Sequence, residues 1–378
     1  MTDQHIFDVA VIGAGIAGAS VTYRLAAHRS VVLLERESQA GYHSTGRSAS
    51  MFMESYGPPA VRALTRASRQ FLAEPPQGFC VHPILTPRGA LYLASPGQLD
   101  LLRREHAQLA STCPGLEQLD QAQTVALVSC LRPERVLGSL LDRGAMDIDV
   151  DALHQGFIRG LRQHGCEMRC NAGVSSATRC GPLWELQLSD GSSVRARVVV
   201  NAAGAWADEV ALLFGARPIG LVPHRRSVFT FRPPEGLQVS HWPLVASLDE
   251  SFYFKPDAGV LLGSPANADP TMPHDVAPEE IDIATGIHHI EAATTLSIRR
   301  PLRIWAGLRS HVSDGEMVIG WDQQCEGFFW LAGQGGCGIL SAPGASELAA
   351  SLLLEQPLPD QMARHGVDPR ALSPLRLH

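Results

Sequence analysis

Phe7-Asp8-Val9-Ala10-Val11-Ile12-Gly13-Ala14-Gly15-Ile16-Ala17-Gly18 is the stretch whose reading decides the fold. An apolar run delivers the backbone into Gly-x-Gly-x-x-Gly, and a helix-compatible segment, residues 19–28, follows. A second apolar run, Ser30-Val31-Val32-Leu33-Leu34, ends on Glu35. Strand, glycine turn, helix, strand and terminal acid in this register predict a Rossmann-like unit that binds a dinucleotide. Gly13 permits the tight turn, Gly15 lets backbone approach a pyrophosphate, and Gly18 lets helix pack closely on strand. Ala14, Ile16 and Ala17 lie between them, where the helix N-terminus offers unsatisfied N–H groups to an anion. Glu35, with Arg36 beside it, is placed to accept hydrogen bonds from ribose hydroxyls.

Outward from this unit, Gly41-Tyr42-His43-Ser44-Thr45-Gly46-Arg47-Ser48-Ala49-Ser50 lacks hydrophobic periodicity and reads as a loop able to wrap a cofactor. Residues 60–72 and 99–109 read as helices, the second of them polar and solvent-facing, and residues 78–93 turn to short β-like runs. Asp147-Ile148-Asp149-Val150-Asp151 lacks the glycine and bidentate acid of a calcium loop, so it reads as a helix cap. The helix after it carries Leu153, Phe157 and Leu161 on one face and stops at Gly165. Strands are expected at 166–171, 183–188 and 193–200, with Asp190-Gly191 as a hairpin turn. The last of these enters Asn201-Ala202-Ala203-Gly204-Ala205-Trp206 and a helix at 209–214. A β-rich stretch at 223–263 follows, with strands at 227–231 and 252–254. A helix lies within 278–293, and a strand at 327–332 runs into Gly333-Gln334-Gly335-Gly336-Cys337-Gly338-Ile339 before a helix at 345–354. The expected fold class is α/β (α+β): a dinucleotide-binding domain from residues 1–77, 145–219 and 305–378, interrupted by a β-rich substrate domain from 78–144 and 220–304.

The chain has 378 residues, 45% hydrophobic and 18% charged, enough for a large core. A formal charge of −7 argues against a nucleic-acid partner. Cys80, Cys113, Cys130, Cys166, Cys170, Cys180, Cys325 and Cys337 contain no C-x-x-C pair, so reduced thiols in a cytoplasmic protein are expected and no metal site. His288 and His289 are helix neighbours on different faces, which also disfavours a metal. Met1-Thr2-Asp3-Gln4-His5 has no basic n-region, so no signal peptide is expected. No apolar run reaches the ~20 residues that span a bilayer, while peripheral membrane association stays open.

Glu35 suits NAD or FAD. The second glycine turn favours FAD, whose flavin end needs more of the chain than one mononucleotide-binding half supplies. A helix N-terminus after Gly335-Gly336 would stabilise negative charge on a reduced flavin pyrimidine. Residues 13–18 with Glu35-Arg36, 41–50, 200–206 and 333–339 resemble the D-amino acid oxidase superfamily of flavoproteins. Residues 41–49, 151–156, 201–206, 247–253, 255–259, 262–270 and 305–310 are similar, more narrowly, to the bacterial FAD-dependent D-arginine dehydrogenases. The resemblance implies non-covalent FAD and oxidative deamination of a D-amino acid to a 2-oxo acid and ammonia, with hydride passing from Cα to flavin N5. It assigns Ser44, Thr45, Arg47, Ser48, Ala49, Val174, Ala203, Gly204, Gly335, Gly336, Cys337, Gly338 and Ile339 to the cofactor. Arg309 and Tyr253 are implied to hold the substrate carboxylate, with Arg226 and Tyr56 lining the site; a planar arginine fork suits that task.

In the arginine enzymes a histidine, an acid and a glutamine occupy the positions of Met51, Ala90 and Leu340. Those replacements point to neutral or apolar substrate side chains. No side chain stands out as a general base. The alternatives are an oxidase of secondary amines such as sarcosine, a 2-hydroxy acid dehydrogenase, or a flavin-binding scaffold or redox sensor without turnover. The electron acceptor is left open between oxygen, a quinone and an electron-transfer protein.

Overall fold

The opening apolar run forms strand Ile6–Ile12 at the centre of an eight-stranded sheet in the computed structural model, which describes residues 5–113 and 115–377. The reading of Met1 to Gln4 lies outside the described residues. Strands Glu167–Arg169, Val31–Leu34, Ile6–Ile12, Ser193–Asn201 and Phe328–Ala332 run parallel, in that spatial order. Val9 and Val11 feed one core and Ala10 and Ile12 another, on opposite faces. A strand buried on both faces needs the continuous apolar run seen in the sequence. Helices Ile16–Leu25, Pro59–Ala73, Val150–Gln163 and Ala342–Leu353 contribute to the first core, and the short helix Ala207–Leu213 to the second. The Asp190-Gly191 hairpin joins Leu183–Leu188 to Ser193–Asn201, and Asp149 caps its helix by accepting from the Ala152 N–H at 2.8 Å.

The second sheet has nine strands and takes its residues from both β-rich stretches. Ala90–Ala94 pairs in parallel with Leu244–Ser247, which stitches the two stretches into one unit. Its long strand Val222–Phe231 pairs antiparallel with Arg303–His311 over nine residue pairs, from Val222 opposite His311 to Thr230 opposite Arg303. The expected boundary between residues 304 and 305 therefore cuts a strand; the chain leaves this sheet only after His311. Helix Glu280–Ala293 packs Ile283 and Ile290 into this sheet's core with Trp242 and Phe229.

A third, three-stranded sheet lies between them, built from Met51–Phe52, Met146–Ile148 and Leu85–Pro87. Asp147 on its central strand accepts from Lys255 Nζ at 2.7 Å and from Arg88 Nε at 2.7 Å, tying this sheet to the nine-stranded one. Lys255 is 5% exposed, so its ammonium depends on that partner. Among the described residues no helix is long and apolar enough to cross a membrane, and no cluster of three acids, histidines or cysteines is placed for a metal.

Candidate active site and dinucleotide cleft

At the first glycine turn Gly13 has φ +98°, and a Cβ there would come 2.5 Å from the Ala202 carbonyl oxygen. A Cβ on Gly18 would lie 1.8 Å from the Gly13 carbonyl oxygen, so helix and turn meet at a distance only glycine allows. The Ala14 N–H donates to Glu35 Oε2 at 2.8 Å, fixing the terminal acid against the turn. The helix starts from Gly15, which has no side chain to cap it; the Ile16 N–H goes to Thr45 Oγ1 at 3.0 Å. Gly15, Ile16 and Ala17 thus face a cleft with the anion-attracting end of a helix.

That cleft has a volume of about 650 Å³. Glu35, Arg36 and Val174 line it together with Gly13 and Gly15 of the first glycine turn and Gly335, Gly336, Gly338 and Ile339 of the second. Ser44, Thr45, Arg47, Ser48, Ala49, Ala203 and Gly204 complete the wall. The wrapping loop is fastened to the other sheet. Ser44 Oγ donates to the Leu308 carbonyl at 2.7 Å, Arg47 Nη1 to those of Val276 and Ala306 at 3.0 and 3.3 Å, and Arg47 pairs with Asp275. A cleft lined by a ribose-type acid and by both glycine turns fits FAD.

The substrate end follows from strand alternation. On one face of the paired strands Val222–Phe231 and Arg303–His311 stand His224, Arg226, Arg309 and His311, with His224 opposite Arg309 and Arg226 opposite Gly307. Arg226, Tyr253 and Arg309 line the cleft. Arg309 Nη1 donates to the Tyr56 hydroxyl at 3.1 Å, which brings Tyr56 to the same guanidinium. Arg309 lies against the second glycine turn: a Cβ on Gly336 would be 2.9 Å from its Nη1. Arg225, on the opposite face, is neutralised by Glu279, Asp282 and Asp269. Among the described residues Arg226 has no such partner, and its buried Nε makes no hydrogen bond.

Burial pulls the Arg226 guanidinium down, and the like charge of Arg309 adds to it. Arg309 is also pulled down by burial, but Tyr56, Tyr253 and Cys337 outweigh that and hold it above its usual value. Arg309 in turn lowers the Tyr56 phenol, yet burial with Cys337 and Glu250 raises it by more. His311 is held down to about 4 by burial, His224, Arg309 and Arg226, so it is a neutral imidazole at neutral pH.

Several expected residues are near the cleft without lining it. Ala14 and Gly18 serve the turn behind it. Cys337 is 5% exposed, with its sulfur against Gly57, where a Cβ would meet it at 2.9 Å; its neighbours Gly336 and Gly338 line the cleft. Met51, Ala90 and Leu340 are 3%, 0% and 1% exposed and are not among the residues lining the cleft. Met51 and Ala90 form an apolar cluster with Ala145 and Leu244, against which Tyr92 and Tyr253 pack, and Leu340 belongs to the main core. The helix expected at 345 begins at Ala342; Ser341 N–H already donates to the Cys337 carbonyl at 3.2 Å, so turns link it to the glycine turn.

Sequence reasoning missed Trp206, whose ring carries the Arg36 guanidinium at 4.7 Å and the His43 ring at 4.5 Å. It also missed Gln334 on the wall and the pair His224 and His311, whose ring centroids are 5.5 Å apart. The two-residue spacing of His224 and Arg226 on a strand was the one available signal.

The class is set by this architecture and by a match to the DAO family of FAD dependent oxidoreductases over residues 8–352. The chain belongs to that family, and its cofactor is FAD. Among particular relatives, it is 25% identical to the mitochondrial dimethylglycine dehydrogenase of Rattus norvegicus, over 92% of this chain and 43% of that protein. It spans less than half the length of the mammalian dimethylglycine dehydrogenases it matches. It is 24% identical to the glycine oxidase of Bacillus licheniformis, covering 93% of this chain and 94% of that one. The crystal structure of glycine oxidase from Geobacillus kaustophilus superposes with a TM-score of 0.82 at 21% identity, covering 94% and 96% of the two chains.

Proposed function

We propose that the chain uses FAD to oxidise the amine-bearing carbon next to a carboxylate, with deamination of a D-amino acid to a 2-oxo acid and ammonia as the leading reading. The observation that carries it is the convergence of Arg309, Tyr56, Arg226 and Tyr253 at the end of the cleft that also holds the second glycine turn. Bound FAD supplies the two-electron acceptor. The residues supply placement. Arg309, braced by Tyr56 and by the turn at Gly336, offers a planar fork to the α-carboxylate, and fixing both oxygens fixes the direction of the Cα–H bond. Tyr253 forms the wall beside it. A substrate entering with a neutral amine needs no side-chain base there, and among the described residues no carboxylate or thiol lines the cleft beside Arg226, Tyr253 and Arg309.

A second reading, oxidation of an N-substituted glycine, is favoured by the likeness to dimethylglycine dehydrogenase and glycine oxidase. The carboxylate clamp serves both. Met51 and Ala90 pack beneath Tyr253 and Leu340 lies in the main core, and the preference for neutral or apolar substrate side chains belongs to this proposal. The deciding experiment is an anaerobic screen of D- and L-amino acids, sarcosine, dimethylglycine and D-lactate, following flavin bleaching. Bleaching by D-amino acids alone supports the first reading, and by N-methylated glycines alone the second. Reduction by D-lactate without any amine, or by none, overturns both, the last outcome fitting a scaffold. A quinone or electron-transfer protein as acceptor, a cytoplasmic location, and a two-domain division with its last boundary moved past His311 belong to the same proposal.

A further inference from the structure

The run Arg299-Arg300-Pro301-Leu302-Arg303-Ile304 follows the buried Ile298 and opens the strand Arg303–His311; every residue in it but Pro301 is exposed. Leu302 and Ile304 are 47% and 54% exposed. Yet Ile304 stands opposite Phe229, a core residue, and Leu302, two residues earlier, falls on the same face. Strand Arg303–His311 pairs on one side only, with Val222–Phe231, and the cofactor loop covers its other side at Ala306 and Leu308. Leu302 and Ile304 lie beyond that cover, so the apolar face of the sheet runs out into solvent there. Arg299, Arg300 and Arg303 surround them. Arg232, also exposed, lies just past Thr230, which opposes Arg303 and whose carbonyl accepts from the Leu302 N–H at 2.7 Å. Among the described residues none of these four guanidiniums has an ion-pair or hydrogen-bond partner. In a chain of formal charge −7 they form a local positive field.

Charged side chains at a sheet edge discourage pairing with another strand, and two copies of this chain would meet arginine to arginine. That accounts for the arginines and leaves Leu302 and Ile304 unexplained. The run also lacks the exposed aromatic anchor usual at the centre of a protein–protein contact. Aliphatic tips among arginines match an anionic lipid surface, which receives the tips at its acyl boundary and attracts the guanidiniums. We propose that residues 299–304, with Arg232, dock the protein on an anionic bilayer. Arg309 is six residues along the same strand from Arg303, so the substrate end lies about 20 Å from the contact.

The test is co-sedimentation of the FAD-loaded protein with vesicles of phosphatidylglycerol in phosphatidylcholine, and with phosphatidylcholine vesicles alone. No substrate is present, so the outcome is independent of the reaction proposed above. Binding to the anionic vesicles and not to the neutral ones is expected, weakening as salt is raised. One arginine at an anionic surface is worth roughly fivefold in affinity. Arg299→Gln, Arg300→Gln and Arg303→Gln together should therefore weaken binding on the order of 100-fold. Leu302→Ser with Ile304→Ser should weaken it too, and unchanged flavin content and melting temperature show that both variants fold. Should a combined variant lose its flavin, Arg300→Gln alone is read for its roughly fivefold fall. No binding to anionic vesicles, equal binding to neutral ones, or binding that the glutamine variants leave unchanged overturns the proposal. So does poly-L-glutamate bound as tightly as the vesicles and indifferent to the two serines, which marks an acidic protein as the partner. A lipid-free dimer that the same serines dissolve overturns it in favour of a second copy of this chain.

Discussion

Arg309 is the residue on which most depends, because it meets Tyr56, the cleft and the second glycine turn at once. A charge-assisted hydrogen bond contributes ~1.5–3 kcal/mol, and loss of the fork also misplaces the reacting carbon. Arg309→Met should lower kcat/KM on the order of 10²-fold or more. Arg309→Lys should be nearly as poor, since an ammonium cannot form the fork; steady-state kinetics on FAD-loaded variants decide it. Cys337 makes the opposite prediction. Burial pushes its thiol up to about 12 and the sulfur lies against Gly57, so it is a neutral thiol rather than a thiolate poised to attack a flavin. Acid precipitation should leave all flavin in the supernatant, and colour in the pellet would contradict that geometry. His311 gives a pH signature. Its folded-state pKa of about 4 lies below the ordinary 6.5, so between these values the unfolded chain takes a proton the folded one refuses. That contribution to stability is complete above pH 6.5 and is lost as pH falls to 4. Melting temperature of the apoprotein should drop over this window, and less steeply in His311→Gln; parallel slopes would remove His311 as the cause.

At the scale of elements, the network of Arg88, Asp147 and Lys255 makes the sharpest prediction. It links the three-stranded sheet to the nine-stranded one through a lysine with almost no access to water. Asp147→Asn leaves that ammonium buried beside a neutral amide, and should destabilise by about 3 kcal/mol, read as a lower urea midpoint at unchanged slope. Nothing in the sequence announced this network, because Asp147 sat in a run that reads fully as a helix cap. Asp149 does cap, at 2.8 Å, while Asp147 two residues earlier has a different task. Elements with strong periodicity were legible: the polar helix Leu99–Leu109 and the strand Leu183–Leu188 stand where the pattern put them. Strand Val174–Cys180 was not, since its Ser-Ser-Ala-Thr-Arg stretch is largely exposed and is held by pairing with Leu183–Leu188. The site divides the same way. The glycine turns and Glu35 are local patterns and could be read. The placement of Met51 and Ala90 under Tyr253, and the opposition of His224 to Arg309, come from pairings between distant strands that no local pattern encodes.

Across the whole molecule the cofactor loop fastens one sheet to the other, through Ser44 to Leu308, Trp305 Nε1 to the Arg47 carbonyl at 3.0 Å, and Arg47 to Asp275. Asp275 is half exposed, so its ion pair contributes at most ~1 kcal/mol. Asp275→Ala should therefore raise the FAD dissociation constant only about two- to fivefold, measured by flavin fluorescence on apoprotein. A much larger effect would mean that the loop collapses without this clamp. FAD itself should add ~2.7 kcal/mol of stability when free cofactor is a hundredfold above its dissociation constant, visible as a rise in melting temperature. Strand Phe328–Ala332 lies parallel beside Ser193–Asn201, although the entire second β-rich stretch separates them in the chain. During translation the ribosome therefore delivers the adenosine half of the cleft early and its flavin end late. A nascent chain can display Gly13 to Glu35 but has neither the last parallel strand nor the turn at Gly335. Cofactor capture by the complete cleft is then a late event in biogenesis, open only once the last parallel strand and its turn have been delivered.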